Sequence, residues 1–146
     1  MIYLLDTDTL IYMIRGLKAS GRRQQRARAA LLVEHCRQAQ KDGHAVGVSA
    51  ITVSELDFGA RKSGRYEDEM AAITKILAPF DLYDYGAVGC APHYGHLRHE
   101  LEQAGQTIGA MDLLIAAHAL SLDATLVTNN LAHFRRVPGL KVTDWR

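Results

Sequence analysis

Several residues with oxygen-donating side chains stand at points where an apolar run of this 146-residue chain meets a predicted helix or turn. They are Asp6, Asp8, Glu55, Asp112, Asn129 and Asn130. Carboxylates gathered at one place without a cation raise one another's pKa values and lower stability, so a convergent set predicts a bound hard divalent cation. Mg²⁺ or Mn²⁺ suits the set best, because Ca²⁺ prefers a larger cage and Zn²⁺ prefers histidine or cysteine ligands.

Each acid also has a purely structural interpretation. The segment 52–55 reads Thr-Val-Ser-Glu and fits a capping box, in which Glu55 would satisfy backbone donors at a helix start. Asp8 would cap the first helix, and Asp112 would be favoured in a first turn by the helix dipole. Taken singly, each acid fits a helix start. The structural interpretation does not explain why several such junctions all carry acids aimed at one edge of a sheet.

The elements that must position these residues follow from the apolar pattern. Short apolar runs predict buried strands over 2–5, 45–48, 81–85, 125–128 and 140–143. Helical periodicity predicts helices starting at residue 8 or 9 and covering 22–40, 52–62, 67–77, 87–104 and 113–120. Strands alternating with helices predict an α/β fold whose parallel sheet is covered on both faces. Ligands of such sheets bind beyond the carboxyl ends of the strands, where the acids fall.

Composition predicts one globular domain over residues 1–146. The chain is 48% hydrophobic and 23% charged with only 3 Pro, which excludes collagen-like and disordered classes. Two cysteines, Cys36 and Cys90, are too few for a disulfide framework. The N-terminus lacks the features of a signal peptide, and the apolar runs are too short to span a bilayer. We therefore expect a cytoplasmic protein without membrane contact.

Positive charge is concentrated between Arg15 and Lys41, although the formal net charge is only +1. Eight Lys and Arg residues stand there against a single acid, Glu34. Basic side chains bind phosphate without regard to sequence and with an affinity that weakens with salt. The candidate contacts to a nucleic acid backbone are Arg22, Arg23 and Arg26, with Arg135 and Arg136 as a second group. A solvated helix face and a surface for an acidic protein partner remain the alternatives.

Four motifs in order resemble those of the PIN-domain family. They are Leu5–Asp8, Ser54–Leu56 followed by Gly59 and Ala60, Ile108–His118 containing Asp112, and Val127–Asn130 followed by Phe134. The resemblance covers nearly the whole chain and is nearest to the VapC-type toxins, down to the ending over 137–145. It implies a three-layer α/β/α sandwich with a central, mainly parallel five-stranded sheet. It also implies Mg²⁺- or Mn²⁺-dependent endoribonuclease activity, often on transfer RNA, dimerisation, and inhibition by a VapB-type antitoxin of a type II toxin–antitoxin pair.

The resemblance assigns catalytic roles residue by residue. Asp6, Glu55 and Asp112 match the three metal-binding acids of the family, and Thr128 matches a nearby hydroxyl residue. A fourth position, often Asp, is here Asn130, whose carbonyl can orient a water molecule but brings no charge. Asp8 stands where the toxins often have Asn and would partly restore that charge, so we expect Asp8 and Asn130 to be weak ligands. The metal would activate water for phosphodiester hydrolysis and stabilise the leaving 3′-oxygen.

Two other functions compete with this interpretation. The segment 6–10, Asp-Thr-Asp-Thr-Leu, resembles the start of haloacid-dehalogenase-like phosphatases, in which Asp6 would be a nucleophile. Leu10 breaks the last position of that pattern, and no later pair of Asp residues follows. The second alternative is a degenerate PIN fold that only binds other molecules, a hypothesis suggested by Asn130.

The histidines of the chain do not predict a separate metal site. His93, His96 and His99 follow one another at steps of three, which rotate around a helix and do not converge. We expect them to form a solvated or dimer-facing strip. His118 lies in an apolar helix and is expected to be a hydrogen-bonded core residue.

Overall fold

Five strands form one sheet in which every neighbouring pair runs parallel, in the order β3-β2-β1-β4-β5. The computed structural model describes residues 1–18 and 22–145. The strands are β1 (Ile2–Leu5), β2 (Ala45–Ser49), β3 (Asp81–Tyr83), β4 (Thr125–Val127) and β5 (Lys141–Thr143). The helices in these two ranges are α1 (Thr7–Gly16), α2 (Arg23–Lys41), α3 (Ala50–Lys62), α4 (Tyr66–Leu77), α5 (Ala91–Gln103), α6 (Ala110–Ser121) and α7 (Leu131–Phe134). The predicted five-stranded parallel sheet is confirmed.

Consecutive residues of the central strands β1 and β4 pack in two different hydrophobic clusters. Leu4 and Leu126 are fully buried in a cluster with side chains of α5 and α6. Leu5 and Val127 pack in a second cluster with side chains of α1 and α2. Side chains of a strand alternate between the faces of its sheet, so these clusters lie on opposite faces. Helices therefore cover the sheet on both sides, which confirms the predicted three layers.

The order of the strands reverses at β1. From β1 the chain builds the sheet in one direction through β2 and β3, and in the other direction through β4 and β5. A crevice opens at such a reversal, outside the carboxyl ends of the two central strands, and ligands of open α/β sheets bind there. We call this end of the sheet the carboxyl edge. Asp6 directly follows β1, and Thr128 directly follows β4.

Two predicted helix caps are wrong. The first helix is capped by Asp6, whose side chain accepts a hydrogen bond from the Thr9 N–H, so Asp8 lies within the first turn. The third helix is capped by Ser49, whose hydroxyl accepts from the Ile51 N–H at 3.1 Å. Its start lies two residues before the predicted one, so the capping box predicted for Glu55 does not exist.

Other element bounds differ from the predictions by a few residues. Because Pro92 falls in its first turn, α5 starts at residue 91 rather than 87. The apolar helix α6 starts at residue 110 rather than 113, which places Asp112 in its first turn. The strand β3 ends two residues earlier than predicted, and the short α7 was not predicted. In the described part of the chain, no helix has both the length and the apolar character that crossing a membrane requires.

Candidate active site

Asp6 is buried at the carboxyl edge and held by two hydroxyl-bearing residues. Its carboxylate accepts the Thr9 N–H at 2.8 Å and a further hydrogen bond from the Thr128 side chain. Burial is the main cause that raises the pKa of Asp6 above its ordinary value of 3.8, and the nearby charge of Asp8 raises it further. The hydrogen bonds lower it but do not compensate fully. A cation bound here would relieve this electrostatic cost.

Asp112 faces the same edge from the first turn of α6. Burial raises its pKa, the charge of Asp8 adds to the rise, and His133 opposes it. Asp8 therefore lies close enough to influence both Asp6 and Asp112. The three carboxylates form a negatively charged group around the reversal between β1 and β4.

A hydrogen bond joins Glu55, on α3, to the start of α1. The Thr7 hydroxyl donates to Glu55 Oε1 at 2.7 Å, and Thr7 Oγ1 lies 2.9 Å from Thr52 Oγ1. Because the single Thr7 proton goes to the carboxylate, the Thr52 hydroxyl donates to Thr7. Thr7 follows Asp6 directly, so this chain of hydrogen bonds ties Glu55 to the start of α1. The sequence analysis did not single out Thr7, although its place between Asp6 and Asp8 is a recognisable signal.

The donor chemistry of the group fits Mg²⁺ or Mn²⁺. Together with their neighbours at the carboxyl edge, these side chains offer carboxylate, hydroxyl and amide oxygens, which are the ligands that hard cations take. A divalent cation would also neutralise the charge that raises the pKa values of Asp6 and Asp112. Within residues 1–18 and 22–145, however, no three acidic, histidine or cysteine side chains lie close enough together to hold a metal ion. Asp6, Glu55 and Asp112 remain the predicted metal ligands, and the Glu55 carboxylate is hydrogen-bonded to Thr7.

Thr128 and Asn130 lie on the other side of the reversal, after β4. Thr128 is fully buried, and its Oγ1 accepts the Asn130 N–H at 3.0 Å while its side chain also hydrogen-bonds to Asp6. Asn130 is exposed and precedes α7, but its side chain does not cap that helix. Thr128 is thus placed to orient Asp6. The Asn130 side-chain amide makes no capping hydrogen bond to α7.

His133, on α7, lies beside Asp112 and was not among the site residues predicted from the sequence. Its Nε2 lies 3.0 Å from Asp112 Oδ2. The ring nitrogen is buried and makes no hydrogen bond of acceptable geometry. Its contact with Asp112 is therefore an electrostatic one that lacks the alignment of a hydrogen bond. The ring packs edge-on against Phe134, with 5.5 Å between centroids. Sequence reasoning missed His133 because the four-residue α7 is too short to show a periodic pattern.

The arginines predicted to bind a nucleic acid fall into two places. Arg22, Arg23 and Arg26 are exposed at the start of α2. Near its start, α2 packs against Gly16, the last residue of α1. Because α1 has ten residues, Gly16 lies about 15 Å along the helix from Asp6. Arg135 and Arg136 directly follow α7 and are also exposed, and the Arg136 guanidinium donates to the Thr107 carbonyl at 3.2 Å. Both groups remain predicted contacts.

His118 is a hydrogen-bonded core residue, as the sequence predicts. His118 is buried, and its Nδ1 lies 2.7 Å from the Ser49 hydroxyl. Burial lowers the pKa of His118, which favours the neutral ring. His96 lies 3.3 Å from Glu100, and His99 is exposed.

Comparison with known proteins finds similarity over almost the whole chain. A family model described as PIN domain matches residues 3–140. The ribonuclease VapC2 of Rickettsia felis is 37% identical over 145 residues, which cover 99% of this chain and 98% of the relative. The tRNA(fMet)-specific endonuclease VapC of Shigella flexneri is 34% identical over 143 residues, which cover 98% and 97%.

Solved structures show the same extent of similarity. A chain in the crystal structure of VapBC2 from Rickettsia felis, bound to a DNA fragment from the promoter, has a TM-score of 0.85 at 36% identity and covers 100% of both chains. A chain in the DNA-bound VapBC structure from Salmonella typhimurium has a TM-score of 0.84 at 31% identity, covering 100% of this chain and 99% of that one. The fold of residues 1–18 and 22–145 is therefore similar to that of these VapBC chains.

Proposed function

Since this chain belongs to the PIN-domain family, we propose that it is a VapC-type endoribonuclease, the toxin of a type II toxin–antitoxin pair. We further propose that its activity depends on Mg²⁺ or Mn²⁺ bound by Asp6, Glu55 and Asp112. The observation that carries the metal proposal is the group of like charges at the carboxyl edge, where burial and Asp8 raise the pKa values of Asp6 and Asp112. The names of the relatives, a ribonuclease and a tRNA(fMet)-specific endonuclease, support RNA as the substrate.

The side chains of this chain would orient the catalytic groups. Bound between the carboxylates, the cation would supply an activated water and stabilise charge on the phosphoryl and leaving 3′-oxygens. The Thr9 N–H and the Thr128 side chain hold Asp6 in one orientation. The Thr7 hydroxyl holds Glu55. Such outer hydrogen bonds fix the position and basicity of metal ligands. The Asn130 carbonyl would hold a water molecule or a weakly bound second ion, with Asp8 adding charge.

RNA cleavage by the purified protein tests the proposal. We expect cleavage of transfer RNA, with initiator tRNA as the first substrate because the Shigella relative is named for it. Cleavage should require Mg²⁺ or Mn²⁺, stop with EDTA, and return when the metal is restored. Sequencing of the 5′ ends of the fragments would identify the cleaved bond and, in cells, the RNA target.

Two assays separate the competing functions. Rapid hydrolysis of p-nitrophenyl phosphate without RNA cleavage would favour the phosphatase in which Asp6 is a nucleophile. Antitoxin binding without Mn²⁺ binding or RNA cleavage would favour a degenerate, non-catalytic module. Either result would contradict the proposed ribonuclease.

The proposed partner is a VapB-type antitoxin with an acidic amphipathic segment. A groove of about 560 Å³ lies between α1, α2 and α4, with Met13 and Phe80 among its apolar side chains. Lys18, Arg37 and Lys75 also line it, so its charge complements an acidic segment. The similar crystal structures are those of VapBC2 from Rickettsia felis and VapBC from Salmonella typhimurium. Co-purification with the product of an adjacent small reading frame, and loss of RNA cleavage in that complex, would support the pairing.

We also propose that the toxin is a homodimer that acts in the cytoplasm, where its RNA substrate is found. Light scattering of the purified chain measures the first point directly. A monomeric mass at all concentrations up to those of the cleavage assay would contradict it.

Alanine at Arg22, Arg23 and Arg26 together should weaken RNA binding. Each lost contact to a single-stranded phosphate removes about 0.7 from the slope of log K against log salt, so three contacts remove roughly 2. Fluorescence anisotropy in EDTA at several salt concentrations measures binding without cleavage. The matched control replaces Arg28, Arg37 and Lys41, three other exposed cations of α2, with the same change in net charge.

Comparison of the two triple variants decides how the cluster is used. Equal losses would show that only the overall charge of α2 matters. Unchanged RNA binding together with lost antitoxin inhibition would assign the first three arginines to the protein partner instead.

A further inference from the structure

His133 lies within ion-pair distance of Asp112, but its buried Nε2 makes no aligned hydrogen bond. Its Nε2 lies 3.0 Å from Asp112 Oδ2, and the nitrogen is buried without an aligned partner among the described residues. A buried polar atom that lacks a partner lowers stability, so native structures usually supply a hydrogen bond, a water molecule or a metal ion. A cation bound by both atoms would give this nitrogen the aligned partner that it lacks.

The separation of the two atoms fits two neighbouring ligands of one octahedral cation. Metal–ligand bonds of about 2.1 Å at right angles place adjacent donor atoms about 3 Å apart. The observed distance has this value, whereas the direction of the ring N–H is poor for a hydrogen bond. The ring packs edge-on against the buried Phe134, so little side-chain freedom would be lost on binding.

The surrounding charges favour a cation at this point. Asp112 is partly buried, and Asp8 adds a second negative charge close to it. Asn130, three residues before His133, directly precedes α7 and carries a neutral amide oxygen. An imidazole would add a nitrogen donor to a site that is otherwise made of oxygen donors.

We propose that His133 Nε2 is a direct ligand of the metal ion and shares it with Asp112. The assignment rests on the proposed function, because it concerns the same metal centre. A nitrogen ligand moves the preference of a site away from Mg²⁺ and towards Mn²⁺ and the later first-row metals. The centre of this chain is therefore a mixed nitrogen and oxygen site that selects Mn²⁺ over Mg²⁺.

Pulsed electron paramagnetic resonance of bound Mn²⁺ tests the assignment without measuring activity. An imidazole nitrogen bonded to Mn²⁺ gives a ¹⁴N modulation of the electron spin echo. We expect this modulation in the original chain and in the control His99→Ala, whose ring is exposed on α5. We expect its loss in both His133→Ala and His133→Gln. In these two variants Mn²⁺ affinity should fall at least about tenfold, and Mg²⁺ affinity should fall less.

Three outcomes would overturn the assignment. Mn²⁺ that binds the original chain without ¹⁴N modulation would exclude His133 and leave the carboxylate centre in place. Tighter Mn²⁺ binding by His133→Ala would show that the ring competes with the metal for Asp112. The absence of any Mn²⁺ binding would overturn both the His133 assignment and the proposed metal centre, so the two failures are distinguishable. Circular dichroism of each variant confirms that the fold is retained.

Discussion

An Asp6→Asn variant should be at least as stable as the original chain and yet cleave RNA about a thousandfold more slowly. Asparagine caps helices as well as aspartate does, so its Oδ1 can still accept the Thr9 N–H at the start of α1. The negative charge that would bind the cation is lost. If the metal stabilises the transition state by several kcal/mol, its loss corresponds to a factor of about 10³ in rate.

The stability of this variant relative to the original chain should depend on pH. Because burial raises the pKa of Asp6 above 3.8, the folded chain binds this proton more tightly than the unfolded chain does. The contribution of Asp6 to stability is therefore fully present below about pH 3.8 and declines as the pH rises through the raised value. Asparagine has no charge to desolvate. In EDTA at pH 7, Asp6→Asn should consequently melt at a higher temperature than the original chain, and the difference should shrink towards pH 4.

Metal binding gives an independent measurement on the same variant. Mn²⁺ that binds only the folded state raises the melting temperature of the original chain, but it should not raise that of Asp6→Asn. The matched control is Asp42→Asn, an exposed position where Oδ1 can still accept the Gln38 amide, and it should cleave RNA normally. Undiminished cleavage by Asp6→Asn would remove this residue from the catalytic centre.

The fold could be predicted from the sequence because buried parallel strands are short and wholly apolar. The first strand, Ile2–Leu5, has this character and was predicted with its observed bounds. Its two faces enter different cores, so no polar residue interrupts it before Asp6. The edge strand β3 is mostly exposed and packs less apolar surface, and its end was predicted less accurately.

The local sequence does not determine which residue caps each helix. Asp6 and Asp8 are both suitable caps, and both precede an apolar helix. Asp6 caps α1 because its N–H bonds to the Val127 carbonyl of β4, which keeps the backbone extended up to that residue. This bond joins residues far apart in the chain. Ser49 similarly ends β2 and caps α3, and the position of Glu55 within α3 follows from that.

The candidate site was predictable in its acids but not in the contacts that orient them. Carboxylates after apolar strands are visible in the sequence, and the parallel sheet brings them to one edge. The hydrogen bond from Thr7 to Glu55 spans 48 residues and depends on how α1 packs beside α3. The approach of His133 to Asp112 depends on α7, whose four residues carry no periodic signal.

Gly47→Ala should lower the free energy of unfolding by about 3 kcal/mol, the upper part of the usual range for an overpacked core. Gly47 lies in β2 between Leu4 of β1 and Asp81 of β3. A Cβ atom there would overlap the Tyr83 ring and lie 2.8 Å from the Asp81 carbonyl oxygen. The ring is confined by an edge-on contact with His118, and the carbonyl belongs to the backbone of the paired strand. Neither neighbour can move without loss of packing or pairing.

Chemical denaturation measures this loss, and the melting temperature should fall by roughly 6–12 °C for a chain of this size. Adding Tyr83→Ala to Gly47→Ala should recover part of the stability, because the ring is then absent while the Asp81 carbonyl still obstructs. Gly59→Ala is the matched control: its Cβ would meet nothing within 4 Å on α3, so it should stabilise the helix by about 0.5–1 kcal/mol. A Gly47→Ala protein as stable as the original chain would contradict the packing of Tyr83 over β2. That packing matters for catalysis because β2 leads directly into Ser49 and the helix that carries Glu55.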